Sequence, residues 1–355
     1  MKQLFSIFFA FITITATATV RTVSNTPSTI AQFSTVQAAI DASTSGDTIY
    51  VHGSPNLYAP ATITNKRLVL LGPGFAPDKN LPLVALLAGI TINESAGSAD
   101  FCELQGLHVA GFAASQGVNN LRLFRNQFTG SFNFNHLTAA SDFVIEGNNF
   151  NSVVTATASA TFTNCLFQNN LFYGVTCCTG ASINGFTNTV NVLFNHNIFI
   201  GPPGTFPVFG GNCRFLLLAN NIFVNRDPAF QLSFSSFNNN ITFNCGTVGD
   251  TAWIRNSNVD GGGNIASQNP QLFDQAQVNA GNSNPLMNLT IAAGPANDAG
   301  SDAKDIGLLY DASGSLNWAN GRNSRLPRIF KMNVVNPTVA VGGTITVTVE
   351  AKTSN

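Results

Sequence analysis

Seven residues of this chain carry groups that could do acid–base or charge-stabilising chemistry: Glu103, Arg122, Arg125, Asp142, Glu146, Tyr173 and His196. The first five can form a polar patch. In such a patch carboxylates exchange protons and guanidinium groups offset developing negative charge. Tyr173 and His196 are the alternative, a base pair in a groove with no charge of its own. Residues 147–213 contain no Asp, Glu, Lys or Arg. A lone histidine in an Asn-rich turn is more often a hydrogen-bonded structural residue than a base. No catalytic residue is therefore assigned, and the seven stand as weak binding candidates. No cofactor is implied. Asp260 and its three following glycines do not make a calcium loop, and the cysteine spacing fits no zinc site, so no metal is expected.

A repeat must position these groups. FRNQF (124–128), EGNNF (146–150), FQNNLF (167–172), NHNIF (195–199) and LANNIF (218–223) each set Asn two residues before Phe. Phe128, Phe150, Phe172, Phe199 and Phe223 follow at intervals of 22, 22, 27 and 24 residues. A period in this range marks a solenoid whose repeats stack. Each Asn follows a short apolar run such as LRLF or NVLF, too short for a helix and suited to a buried strand. The pattern predicts an all-β chain coiled as a parallel β-helix. Its columns run from near Phe101 to about Phe243, and the whole holds about ten coils in a rod of roughly 45–50 Å. Stacking would turn the Phe positions into a continuous core. Asn would serve twice, by accepting a left-handed turn and by bonding to the Asn of the next coil. A row of exposed Asn binding sugar is the competing reading. The same register sets Glu103 beside Arg122, an arrangement worth little energy at a surface.

Composition narrows the function classes. Charged residues make up 9% of the 355, against about 25% in ordinary soluble proteins. Polarity comes instead from Ser, Thr, Gly and 44 Asn. A net charge of −1 with no basic face argues against a nucleic-acid partner. MKQLFSIFFAFITITATATV reads as a secretory leader cleaved after Ala18, which predicts a secreted or cell-surface protein; a membrane anchor is the competing reading. No other run could span a bilayer. The six cysteines, at 102, 165, 177, 178, 213 and 245, are open to two readings: buried thiols, or one or two bridges. TATASATFT (155–163) crowds its threonines into one coil, which does not make the regular lattice that binding to ice would need.

After the leader, Ser34 and Gln37 give a capping-box signal for a short helix with Val36, Ala39 and Ile40 on one face. Such a helix can cover the apolar end of a solenoid. The opening FSTVQAAIDASTSGDTIYV, the RLVLLGPG after it and the late GPANDAGSDAKDIG resemble secreted right-handed parallel β-helix proteins of the pectin-lyase-like superfamily. The resemblance covers about residues 30–310 and implies a right-handed coil. It also implies lyases, hydrolases, esterases or proteins without activity. Enzymes of that superfamily place charged residues on central coils, where this chain has its charge-free stretch. The expected organisation is a leader (1–18), an N-terminal segment with capping helix (19–45), the β-helix (46–310), a linker (311–325) and a C-terminal strand pair (326–355).

In that tail, VVNPTVAVGGTITVTVEAK alternates like the first strands of an immunoglobulin-like module. Two strands alone are unstable in water. Docking on the rod is the favoured expectation, and self-association through these strands is the other. The resulting functional expectation is a non-catalytic exported protein, carbohydrate-binding or structural, with a polysaccharide as partner. The alternative is a polysaccharide lyase or glycoside hydrolase.

Overall fold

The computed structural model describes residues 18–75, 83–95, 99–115, 117–173, 181–204, 206–246, 253–284 and 287–309, and the backbone of 328–334 and 347–352. The leader (apart from residue 18), Cys177, Cys178 and the 311–325 linker lie outside them.

One coil shows the plan. Glu103–Gln105 belongs to the longest sheet (sheet 1), His108–Val109 to a second (sheet 2) and Phe112–Ser115 to a third (sheet 3). The chain then returns to sheet 1 at Arg122–Phe124, in parallel register with the strand it left. Repeating this builds eleven parallel strands in sheet 1, eight in sheet 2 and six in sheet 3, the course of a parallel β-helix. Within each three-residue strand of sheet 1 the middle side chain points inward. Leu70, Leu104, Leu123, Ile145, Phe167, Phe194, Leu218 and Phe237 are all buried, as is Ile49 in the four-residue strand Thr48–Val51. Alternation with a period of two makes this unavoidable once one face is core.

The Phe column is continuous. Phe128, Phe150, Phe172, Phe199 and Phe223 stack at centroid distances of 5.2, 4.8, 4.7 and 5.0 Å, with planes within 15° of parallel. Val109 precedes the column and Thr242 follows it. Phe101 does not belong to it, being 45% exposed in a turn.

The Asn ladder is present and longer than the motif suggested. Asn126, Asn148, Asn170, Asn197, Asn221, Asn240 and Asn264 pass hydrogen bonds from coil to coil at 2.9–3.1 Å. Asn240 and Asn264 escaped the motif because Thr242 and Ala266 stand where the Phe would be. One expectation needs correction. The ladder Asn is not the left-handed residue. That conformation belongs to the residue before it: Arg125, Gly147, Asn169, His196, Asn220, Asn239 and Gly263 all have φ between 52° and 68°. The turn needs one left-handed residue to reverse direction, and the next residue must then aim its amide along the rod.

A helix, Val36–Ala42, packs on the first strands through Val36, Ala39 and Ile40. Its N-cap is Thr35, whose Oγ1 accepts from the Ala38 N–H, one residue later than the Ser34 expected. Gln37 instead exchanges two hydrogen bonds with the Thr62 backbone. Lys66 closes the other end, its Nζ donating to the Ile40 and Asp41 carbonyls. Cys102, Cys165, Cys213 and Cys245 are free and buried. Burial pushes Cys102 and Cys213 up to about 11, and Cys165 and Cys245 up to about 12. In the tail, Arg328–Val334 pairs antiparallel with Val347–Lys352.

A second apolar cluster lies outside the coil. Leu171, Ile198, Ile222 and Ile241 face outward from sheet 2 and are covered by Leu272, Met287, Leu289, Ile306 and Leu308. The chain after the last coil thus returns along sheet 2.

Candidate functional site

The outer face of sheet 3 is made of short neutral side chains. Thr62, Thr91, Ala113, Asn133, Thr155 and Asn184 succeed one another in register, one per coil. Beside them Thr64 pairs with Asn93, and Ser115 with Asn135. The intervening Ile63, Ile92, Ala114, Phe134 and Ala156 are core. A mixed column with three threonines therefore exists, which is not the regular threonine lattice that binding to ice would need. Ala113 and the asparagines interrupt it.

Beside this face, where sheet 2 turns into sheet 3, lies a groove of about 420 Å³. Thr129, Ser131, Asn133, Asn151, Ser152 and Thr155 supply its polar lining, and Phe132 and Val153 its apolar part. Phe132 is held by stacking on Phe112 at 4.6 Å. Gly130 is required here: a Cβ would sit 1.8 Å from the Ala110 carbonyl oxygen. No lining residue is ionisable, and two of its buried oxygens, Asn151 Oδ1 and Ser152 Oγ, have no hydrogen-bond partner. Both oxygens lie beneath the groove's surface, out of reach of solvent, so they belong to the packing under the groove and not to its ligand-facing lining.

Asn149, next in the chain, is fully buried with both side-chain polar atoms unpartnered. In the following coils its place is taken by Leu171 and Ile198. Asn149→Leu should therefore raise stability, by about 1–3 kcal/mol if the orphaned amide is the only term that changes. Equilibrium urea unfolding checks this, and an unchanged or lowered midpoint would mean that the amide is satisfied in solution.

The seven residues singled out from the sequence fall into separate places. Arg122 is the register partner of Glu103, and Glu146 of Phe124 one coil on, all on sheet 1. Burial raises the Glu103 carboxyl, opposed by Arg122 and then Arg125. Burial likewise raises Glu146, opposed by Arg125. These four make a local patch that ends quickly, because the Arg122 column continues as Val144, Leu166 and Leu193. Asp142 stands in the turn before sheet 1 and accepts from Asn164 Nδ2 at 3.4 Å. Tyr173 donates its hydroxyl proton to the Gly281 carbonyl. His196 is 1% exposed, its ring nitrogens against the Gly307 carbonyl and the Asp302 carboxylate.

The groove residues were missed by sequence reasoning. Hydroxyls and amides at irregular intervals carry no motif, and only the alternation of the strands hinted at an outward face. Among the described residues no group of three or more His, Cys, Asp and Glu could hold a metal ion, and no helix is long and apolar enough to cross a membrane. No protein-family model, curated protein or solved structure matches the chain.

Proposed function

We propose that this protein is an exported, non-catalytic β-helix that binds a neutral polysaccharide in the groove beside sheet 3. The observation that carries the reading is the groove's lining: hydroxyls and amides with no ionisable group. Sugar hydroxyls donate and accept at once, as amide and hydroxyl side chains do, so such a surface suits them without charge. The volume lies within the range of ordinary ligand sites, about 300–1,000 Å³. The leader-like N-terminus supports export. The quoted motifs support a right-handed coil of the pectin-lyase-like type, and right-handed crossovers between parallel strands are the general rule. The helix Val36–Ala42 is read as the cap of the rod's first coil.

The test is binding of the full chain to neutral and acidic polysaccharides by affinity electrophoresis, with reducing and unsaturated ends assayed in parallel. Neutral polymers should retard the protein, and the double variant Asn133→Ala, Thr155→Val should weaken retardation by tenfold or more, as expected from losing two hydrogen bonds of about 1 kcal/mol each. Retardation by acidic polymers alone would overturn the proposal, as would a double variant that binds unchanged. New chain ends that vanish on changing Glu103 or Tyr173 would establish the lyase or hydrolase instead.

A further inference from the structure

Two of the three long sheets have outer faces already accounted for. Sheet 2 is covered by the returning chain, through Leu272, Met287, Leu289, Ile306 and Leu308. Sheet 3 shows short neutral side chains. Sheet 1 instead carries an apolar ridge: Val144, Leu166, Leu193 and Leu217 point outward in register, one per coil. Leu217 is 40% exposed, and the turn before the strand adds Phe215 and Phe234, half exposed and stacked at 5.7 Å. Both rings stand at positive φ, where the same turn in earlier coils has Asn120, Asp142, Asn164 and Asn191. That conformation suits Asn and Asp and opposes a bulky side chain, so the turn gives up stability to extend the ridge.

The chain supplies a second apolar face of matching size. Arg328–Val334 pairs antiparallel with Val347–Lys352, with a register shift between Ile329 and Lys331. The shift takes Phe330 out of the alternation. Ile329, Met332 and Val334 therefore share one face of the ribbon with their partners Ala351, Val349 and Val347. Lys331, Asn333, Thr348 and Glu350 share the other, and Thr348 is exposed. A two-stranded ribbon is not stable alone in water, so the apolar face needs a surface to pack on. We infer that this ribbon packs face to face on sheet 1 of its own rod, over Leu166, Leu193 and Leu217.

The place where the chain leaves the rod fits. Leu309 exchanges two hydrogen bonds with Asn169, at 2.6 and 3.2 Å, and Asn169 directly follows the sheet 1 strand Leu166–Gln168. The 18 residues 310–327 that follow reach up to about 60 Å when extended. From the coil of Leu166 to that of Phe234 the ridge runs three strand spacings, roughly 14 Å. A six-residue strand is roughly 20 Å long, so Val347–Lys352 can lie along all of it. Covering it also buries no ion. Both outward columns of sheet 1 are uncharged from Leu166 and Gln168 to Ser236 and Asn238.

Amide hydrogen exchange on the full chain tests the placement. The amides paired within the ribbon should be protected at least tenfold over an unstructured peptide, and dilution should not change this. Leu193→Glu with Leu217→Glu alters only the outer face and should cut that protection tenfold or more. The ladder amide of Asn148 should be unaffected and serves as the internal reference. Val347→Thr with Val349→Thr keeps the β-branched shape and leaves the rod untouched. It should give a loss in the same direction, which decides the matter if the first variant disturbs the rod. Thr91→Glu with Thr155→Glu, on sheet 3, should leave the ribbon as it is in the natural chain. A ribbon without protection in the natural chain overturns the inference, as does protection that survives the sheet 1 variant. Protection lost on dilution would put the ribbon on a second molecule instead. An equal loss from the sheet 3 variant would overturn the location.

Discussion

Asn170→Ala should destabilise the protein by about 1–3 kcal/mol, the cost of one orphaned buried group. Asn170 is fully buried in the middle of the ladder. Its Oδ1 accepts from the Asn148 backbone N–H at 2.9 Å and from Asn148 Nδ2 at 3.0 Å. Its Nδ2 donates to the Ile145 carbonyl at 2.8 Å and to Asn197 Oδ1 at 3.0 Å. Alanine removes all four bonds, yet most partners are rescued. Asn148 Nδ2 keeps the Leu123 and Glu146 carbonyls, and Asn197 Oδ1 keeps the backbone N–H of residue 170. The Ile145 carbonyl keeps the Gln168 backbone N–H of the parallel ladder, so only the Asn148 N–H is left without a partner, in a site water does not reach. Urea midpoints at unchanged m value measure the loss. Unaltered stability together with weaker sugar binding would instead make the Asn column a ligand-binding row.

Phe172→Ala should cost about 3–5 kcal/mol, the usual range for emptying a buried Phe site. The ring is wholly buried between Phe150, at 4.8 Å and 5°, and Phe199, at 4.7 Å and 7°. Parallel strands above and below fix those neighbours, so the gap cannot close by collapse. Phe101→Ala is the contrast. That ring is 45% exposed in a turn, and the change should stay within about 0.5 kcal/mol. Calorimetric unfolding of the two variants separates them, and equal losses would show that the Phe172 stack adds nothing beyond ordinary contact.

The coil architecture was legible because a solenoid turns spacing into adjacency. Positions one repeat apart become neighbours, so Asn170 could be matched with Asn148 and Asn197, and Arg122 with Glu103, from the sequence alone. The same logic failed wherever a loop changed the interval. Thr62, Thr91, Ala113, Asn133, Thr155 and Asn184 lie 29, 22, 20, 22 and 29 residues apart and mix three side-chain types, yet the sheet makes them one column.

The sequence by itself determined the strands, the Phe stack, the ladder and the absence of charge from the central coils. These depend on side-chain period and on contacts one coil away, which a linear pattern encodes. Tertiary structure alone decided the groove, the orphaned Asn149 and the burial of His196. Each depends on which segment returns to which face. Leu309 reaches Asn169 across 140 residues, and no periodicity specifies that partner. The position of the chain that returns along sheet 2 follows from shape and from the apolar face it covers, quantities that exist only once the coils have stacked.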